Sequence, residues 1–276
     1  KHFNHHLFVA IKGLRHDGHE FIDELYKKGF RNFLIETSNF NPSHFPKANF
    51  LLTNNSLEAF QNIARNHRLK FNIPIIGITG SNGKTIVKEW LSTCLQSHYK
   101  ICKNPKSYNS QVGVSLSVLG LNSSDEIGVF EAGISQKEEM KKLQKIIQPS
   151  FGIFTNIGHA HSENFNSLKE KVEEKMKLFI ETKRLVYCKD NKEIHKVVSQ
   201  KGPSKLISWS KQDISAFLFL KGFSQKTEKS ILTVVHNQIE KIFTVPFKDD
   251  ASIENCLHII CVLISLNISD NEIQQG

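Results

Sequence analysis

The sequence is short of several things, and each shortage excludes something. Five arginines stand against 31 lysines. Lysine lacks the planar fork that reads base edges bidentately. The net charge of +9 therefore points to a phosphate-rich small molecule rather than to nucleic acid. The lysines are spread along the chain and often sit beside glutamate, as in Lys137-Glu138-Glu139, the pattern of solvated helix faces. No apolar run reaches the roughly 18 residues needed to span a bilayer. The most apolar stretch, residues 256–266, contains His258 and Ser265 and reads as a buried helix. The polar start, Lys1-His2-Phe3-Asn4-His5-His6, is not a signal peptide. The cysteines, Cys94, Cys102, Cys188, Cys256 and Cys261, are odd in number and form no CxxC pair. That excludes a disulfide framework and a cysteine zinc site, and it fits a cytoplasmic protein. Repeats and low-complexity tracts are missing too.

What is present is a globular composition, 39% hydrophobic and 23% charged, spread over two α/β regions. The first, residues 1–72, alternates short strands and helices. Strand-like runs fall at 6–11, 32–36 and 50–53, and helical patterns at 20–28 and around Leu57, Phe60, Ile63 and Ala64. The second, residues 73–276, begins after Asn72-Ile73-Pro74 and reads as repeated strand–helix units. Strands are expected at 75–79, 127–131, 152–155, 185–188 and 206–208. Helices are expected at 85–97, 110–119, 136–147, 167–181 and 192–198. Short apolar strands alternating with helices imply a mainly parallel sheet covered on both faces. After Trp209 the pattern turns β-rich, at 216–220, 230–236 and 239–245, and a last helix is expected at 252–266. The first region reads as incomplete, and the whole as a piece of a longer protein lacking a C-terminal domain.

The strongest chemical signal is Gly80-Ser81-Asn82-Gly83-Lys84-Thr85. It follows the apolar run Ile75-Ile76-Gly77-Ile78-Thr79 and opens the helical pattern Ile86-Val87-Lys88-Glu89-Trp90-Leu91. Glycines let backbone N–H groups face an anion, and a helix N-terminus adds partial positive charge. In such a loop the lysine reaches the β- and γ-phosphates and the hydroxyl ligates Mg²⁺. The spacing is shorter than G-x-x-x-x-G-K-[ST], since Ile78 stands where the first glycine belongs. By chance, G-x-x-G-K-[ST] is expected in roughly 1% of chains of this length, so a bare helix-capping turn is the weaker reading.

With its short glycine spacing, Ile78-Thr79-Gly80-Ser81-Asn82-Gly83-Lys84-Thr85 resembles the nucleotide loop of the Mur ligases and folylpolyglutamate synthases. Val87-Lys88-Glu89, Phe8-Val9-Ala10-Ile11-Lys12-Gly13 and Asp17-Gly18-His19-Glu20-Phe21 are similar to the MurF type of Mur ligase. Ser107-Tyr108-Asn109-Ser110-Gln111-Val112-Gly113 and Phe130-Glu131-Ala132-Gly133-Ile134-Ser135 resemble MurF halves fused to an alanine racemase. The resemblance runs from about Leu7 to Leu266. It implies an ATP- and Mg²⁺-dependent ligase of peptidoglycan precursor synthesis. Such an enzyme phosphorylates the carboxylate of UDP-N-acetylmuramoyl-tripeptide and joins it to the amine of D-alanyl-D-alanine. Family members carry a third, C-terminal domain, so this chain alone is not expected to turn over. The rival readings are another ligase of the superfamily, such as folylpolyglutamate synthase, and a P-loop module that uses nucleotide to control a partner.

The resemblance also implies site residues. Thr79, Gly80, Ser81, Asn82, Gly83, Lys84 and Thr85 take the nucleotide phosphates, and Asn255 the adenine, although Ala251 and Ser252 replace the usual polar lead. Asn255 also suits a helix start. Glu131, at the carboxyl end of an expected strand, holds Mg²⁺ beside Thr85. His161, in Thr155-Asn156-Ile157-Gly158-His159-Ala160-His161, helps to hold a second Mg²⁺, with Glu163 and Asn156 nearby. The two histidines alone do not make a transition-metal site. Lys175 matches a lysine that several Mur ligases carry carbamylated, which needs an amine kept neutral by burial; otherwise it is an exposed helix lysine. Lys84, His161 and Lys175 are the catalytic set. Asn109, Ser110 and Gln111 meet the sugar-peptide, unless they are an ordinary helix cap. Lys12, Arg15, Asp17 and His19 match the segment that contacts the UDP part.

Overall fold

Ile75–Thr79 is buried along its whole length, as a strand must be when neighbours flank it and helices cover both faces. In the computed structural model, which describes residues 3, 5–13, 16–36, 41–158 and 164–276, this strand lies within a nine-stranded sheet. By its contacts the chain divides into two units, Lys1–Asn66 and His67–Gly276.

The first unit has a parallel sheet, β1 (Leu7–Val9), β2 (Asn32–Glu36) and β3 (Asn49–Thr53), paired in that order. Helix α1 (Ile22–Lys27) connects β1 to β2, and α2 (Ser56–Arg68) follows β3. The middle strand, β2, buries Phe33, Leu34 and Ile35 in a row. Phe33 and Ile35 join Ala10, Ile22 and Phe45 in a small core, and Phe50 stacks on Phe33 with ring centroids 5.4 Å apart.

In the second unit, β4 (Ile75–Thr79) leads through α3 (Lys84–Leu95) to β5 (Ile101–Lys103), and α4 (Gln111–Val118) leads on to β6 (Ile127–Glu131). Helix α5 (Glu139–Ile147) precedes β7 (Phe151–Phe154), α6 (Leu168–Met176) precedes β8 (Arg184–Cys188), and α7 (Lys192–Lys201) precedes β9 (Lys205–Ser210). Strands β10 (Leu218–Gln225), β11 (Ser230–His236) and β12 (Ile239–Val245) follow, then α8 (Asp250–Ser265) and α9 (Asp270–Gln275). The order across the sheet is β12-β11-β10-β9-β8-β7-β4-β6-β5. Every pairing from β5 to β10 is parallel, and β10, β11 and β12 pair antiparallel. Helix α8 packs against α3, β8 and β9. It buries Leu257 and Cys261 in the core that Ile76, Ile78, Val87 and Leu91 share. No helix among the described residues is long and apolar enough to cross a membrane.

The mainly parallel α/β sheet expected from the sequence is observed, and the structure adds detail. Strand β5 and helix α9 were not expected; three and six residues are too short to show a period. The helix expected over 136–147 starts at Glu139, whose carboxylate accepts the N–H groups of Ser135 and Gln136 at 2.7 and 2.9 Å and holds them in a turn. The helix expected over 167–181 ends at Met176 and tightens into a 3-10 turn, Lys177–Phe179. That turn buries Leu178 and Phe179 in the core.

Candidate functional site

Strand order reverses at β4. The chain leaves it for β5 and β6 on one side, then returns to β7 on the other. In open α/β sheets the crevice at such a reversal, at the carboxyl ends of the strands, takes ligands. Here the carboxyl ends of β4, β6 and β7 present Thr79, Glu131 and Phe154.

The glycine loop leaves β4 at Gly80, with φ 153°, and enters α3 at Gly83, with φ 78°. Both values belong to glycine, and both glycines are crowded. A Cβ on Gly80 would lie 2.0 Å from Thr155 Oγ1, and one on Gly83 would lie 2.5 Å from Asn255 Oδ1. Helices α4, α6, α7, α8 and α9 each start at a side-chain cap. Helix α3 starts at Gly83 without one, which leaves the face of its first turn to backbone N–H groups.

The segment after β7 grips this loop. Ser81 N donates to Asn156 O at 2.9 Å and Asn82 N to Asn156 Oδ1 at 2.8 Å. Thr155 Oγ1 donates to Asn82 O at 2.6 Å, and Gly158 N to Ser81 Oγ at 2.9 Å. Lys84 Nζ donates to the loop carbonyls of Gly80 and Ser81 at 2.9 and 3.1 Å. Burial pushes the Lys84 ammonium down from its ordinary range; Glu131 opposes that shift and Lys171 adds to it. Thr85 Oγ1 reaches Glu131 Oε2 at 2.8 Å. Glu131 is fully buried, and Asn109 Nδ2 donates to its Oε1 at 3.4 Å. Lys175, buried on α6, donates to Gly80 O at 3.1 Å. Desolvation above all, helped by Lys84 and Lys171, lowers its pKa to about 7.

The structure therefore gathers the glycine loop, Lys84, Thr85, Glu131, Lys175, Asn109 and Asn255 into one place. Hydroxyl and carboxylate oxygens are the donors that hard divalent cations take, and Thr85 and Glu131 fit such an ion. Lysines around a backbone cradle fit a polyphosphate. A transition-metal cluster is a different matter: no group of three or more His, Cys, Asp or Glu suited to a metal occurs among the described residues.

The other expected residues make contacts of their own. Ser110 caps α4, accepting from Gly113 N at 3.2 Å. Gln111 donates to Glu139 Oε1 at 3.1 Å. Lys12, Asp17 and His19 lie in the first unit. Lys12 bridges Asp17 through the backbone. Asp17 Oδ1 accepts from His19 N at 3.0 Å and lies 2.6 Å from His19 Nδ1. His19 Nε2 accepts from Glu36 N at 3.0 Å, so Nδ1 carries the proton and donates to Asp17. Arg15, His159, His161 and Glu163 lie outside the described residues.

Three further residues, none of them among the expected site residues, support this place. Lys171 Nζ donates to Gly158 O at 2.6 Å; its spacing of four from Lys175 was the available signal. Asn104 accepts from Glu131 N at 2.7 Å and donates to Tyr108 O at 2.6 Å, fixing the Glu131 backbone from a loop with no motif. Lys88, fully buried, donates to Asn104 O at 2.9 Å and to Lys106 O, tying α3 to that same loop.

Comparison with known proteins places this geometry. The UDP-N-acetylmuramoyl-tripeptide--D-alanyl-D-alanine ligase of Bacillus subtilis is 27% identical over 279 residues, covering 99% of this chain and 58% of that protein. Its namesake from Borreliella burgdorferi is 29% identical, covering 99% of this chain and 60% of that one. The crystal structure of MurF ligase from Thermotoga maritima in complex with ADP is 25% identical and superposes with a TM-score of 0.87, covering 100% of this chain and 64% of that one. MurF from Acinetobacter baumannii, 20% identical, shares the fold with a TM-score of 0.86 over 98% of this chain and 59% of that one. The chain thus spans about three fifths of the length of the curated relatives it matches. Residues 78–263 match the Mur ligase middle domain, and since that span is most of the chain and carries the glycine loop, Glu131 and Lys175, the chain belongs to the Mur ligase family.

Proposed function

We propose that this chain is the nucleotide-binding part of a MurF-type ligase, which adds D-alanyl-D-alanine to UDP-N-acetylmuramoyl-tripeptide in the cytoplasm at the expense of ATP. One observation carries the reading: at the reversal of the strand order, Lys84 and a Thr85–Glu131 pair 2.8 Å apart flank a loop whose two glycines sit where a Cβ would clash. The full-length relatives named as this ligase support the substrates, and the neighbour solved with ADP supports the nucleotide.

In the proposed reaction the tripeptide carboxylate takes the terminal phosphoryl group of ATP. The free amine of D-alanyl-D-alanine attacks the acyl carbon, phosphate leaves and an amide forms. Such chemistry depends on positioning and on neutralising developing charge. Thr79 through Thr85 hold the phosphates, with Lys84 at the transferred group. Thr85 and Glu131 would hold Mg²⁺, which when bound withdraws charge from the phosphate oxygens. His161 is proposed for a second such ion. Lys175, with its pKa lowered to about 7, is partly neutral at neutral pH, the state that carbamylation needs. Asn255, against Gly83, is proposed for adenine. Asn109 is proposed to meet the sugar-peptide, next to the segment fixed by Ser110 and Gln111. Lys12, Arg15, Asp17 and His19 are proposed for the UDP part, Asp17 and His19 by fixing the shape of their segment. A fusion partner such as an alanine racemase is compatible with this reading.

The test is phosphate release from Mg-ATP by the full-length protein, with both substrates and with each alone. Release that needs both, and that Lys84→Ala abolishes, is expected. Release indifferent to either substrate would move the assignment to another ligase of the superfamily or to a nucleotide-controlled binding module.

A further inference from the structure

Two buried lysines on one face of α6 hold the two backbone segments of the phosphate cradle. Lys171 and Lys175 are four residues apart, so their side chains emerge side by side. Lys175 Nζ donates to Gly80 O, in the glycine loop, at 3.1 Å. Lys171 Nζ donates to Gly158 O, in the segment that grips the loop, at 2.6 Å. Lys171 is 2% exposed. Burying an ammonium is expensive, and an apolar side chain of similar length would fill the same space at less cost.

The hydrogen bonds show where the charge acts. Gly158 is joined to Ser81 twice: Gly158 N donates to Ser81 Oγ at 2.9 Å, and Ser81 Oγ lies 3.4 Å from Gly158 O. Ser81 N is held in turn by Asn156 O at 2.9 Å. Fixing the Gly158 carbonyl therefore fixes the far end of the segment against which Ser81 is set. We infer that Lys171 is a positioning residue for the nucleotide, its ammonium acting through Gly158 and Ser81 to set the glycine loop in the shape that takes a polyphosphate. The inference rests on the nucleotide reading of that loop.

The experiment is titration of the chain with Mg-ADP, alongside thermal unfolding without nucleotide. The variants are Lys171→Met, Lys171→Arg, Ser81→Ala and the pair Lys171→Met/Ser81→Ala. A charge-assisted hydrogen bond sets the scale, so Lys171→Met should weaken ADP about tenfold. The melting temperature without nucleotide should stay near wild type, and Lys171→Arg should recover most of the affinity. The paired variant should lose less than the sum of its parts, because both changes cut one connection. Four outcomes overturn the inference: unchanged affinity in Lys171→Met; loss of folding or of melting temperature in step with affinity; no recovery with Arg; and additive losses with Ser81→Ala, which would mark direct contact with the phosphates. A wild-type chain that ignores Mg-ADP would overturn the nucleotide reading itself, and this inference with it.

Discussion

Thr85 Oγ1 stands 2.8 Å from Oε2 and 3.1 Å from Oε1 of Glu131, at the carboxyl edge of a parallel sheet and beside a lysine whose charge Glu131 stabilises. A buried carboxylate that shares its oxygens with one hydroxyl is well placed to share them with a divalent cation. Glu131→Gln keeps the shape and an acceptor for Thr85 but removes the charge. The gain in ADP affinity that magnesium gives wild type should fall about tenfold in the variant, the scale of one charged contact. Calorimetric titrations with Mg²⁺ and with a chelator check it. The same magnesium dependence in both proteins would remove Glu131 from the metal site.

The contact between Gly83 and Asn255 makes a second prediction. Gly83→Ala puts a Cβ 2.5 Å from Asn255 Oδ1 and strains a residue at φ 78°. It should destabilise the chain by about 2 kcal/mol in denaturant unfolding. Adding Asn255→Ala should return part of that loss, because the clash is with a side chain, and leave the backbone strain. If the second change returns nothing, the two residues do not meet as described.

The glycine loop was legible in the sequence because it is local: strand, turn and helix lie in one continuous run, and the residue types state the chemistry. The mainly parallel sheet was legible for the same reason, from short apolar runs between helical patterns. What sequence hid was long-range. Asn104 reaches Glu131 across 27 positions, and nothing in the pattern around it marks that contact. Asn156 was noted only as a neighbour of a histidine loop, whereas its side chain and carbonyl hold Asn82 and Ser81. In the first unit, Asp17 and His19 read as ligand contacts, and the pattern did not show that their side chains also lock each other and the end of β2. A motif shows that residues go together without showing whether they face a ligand or one another.

His258 gives a prediction in acid. It is 1% exposed, with Nδ1 2.8 Å from Glu254 O and Nε2 3.0 Å from Phe154 O. Burial lowers its pKa from 6.5 to about 4 despite these two acceptors. The unfolded chain therefore takes up this proton near pH 6.5 and the folded chain only near 4. The stability from keeping the ring neutral is complete above pH 6.5 and is lost as pH falls toward 4. The stability difference between wild type and His258→Asn should shrink across that range, measured by urea unfolding at several pH values. A constant difference would mean that the ring takes up its proton at the same pH in the folded and the unfolded chain.

Lys175 makes the same case, a base whose pKa burial lowers, with its window on the alkaline side. Its ammonium is desolvated and faces Lys84 and Lys171, so the folded chain releases the proton near pH 7 where the unfolded chain holds it to about 10.5. Below pH 7 both states are charged and the folded state bears the whole cost of burying the charge. Between 7 and 10.5 the unfolded state binds more protons, so stability must rise with pH through that interval. Lys175→Met removes the titration, together with the hydrogen bond to Gly80 O. Relative to the variant, wild type should gain stability steadily from pH 7 to pH 9.5, by a few kcal/mol in all. The comparison has to be made between the two proteins, because the cysteines, whose pKa values burial raises, pull stability down above their ordinary range in both alike. A difference that stays flat from pH 7 to pH 9.5 would show that Lys175 keeps its ordinary pKa in the folded chain, and the amine would then not be neutral enough near pH 7 for the carbamylation proposed for it.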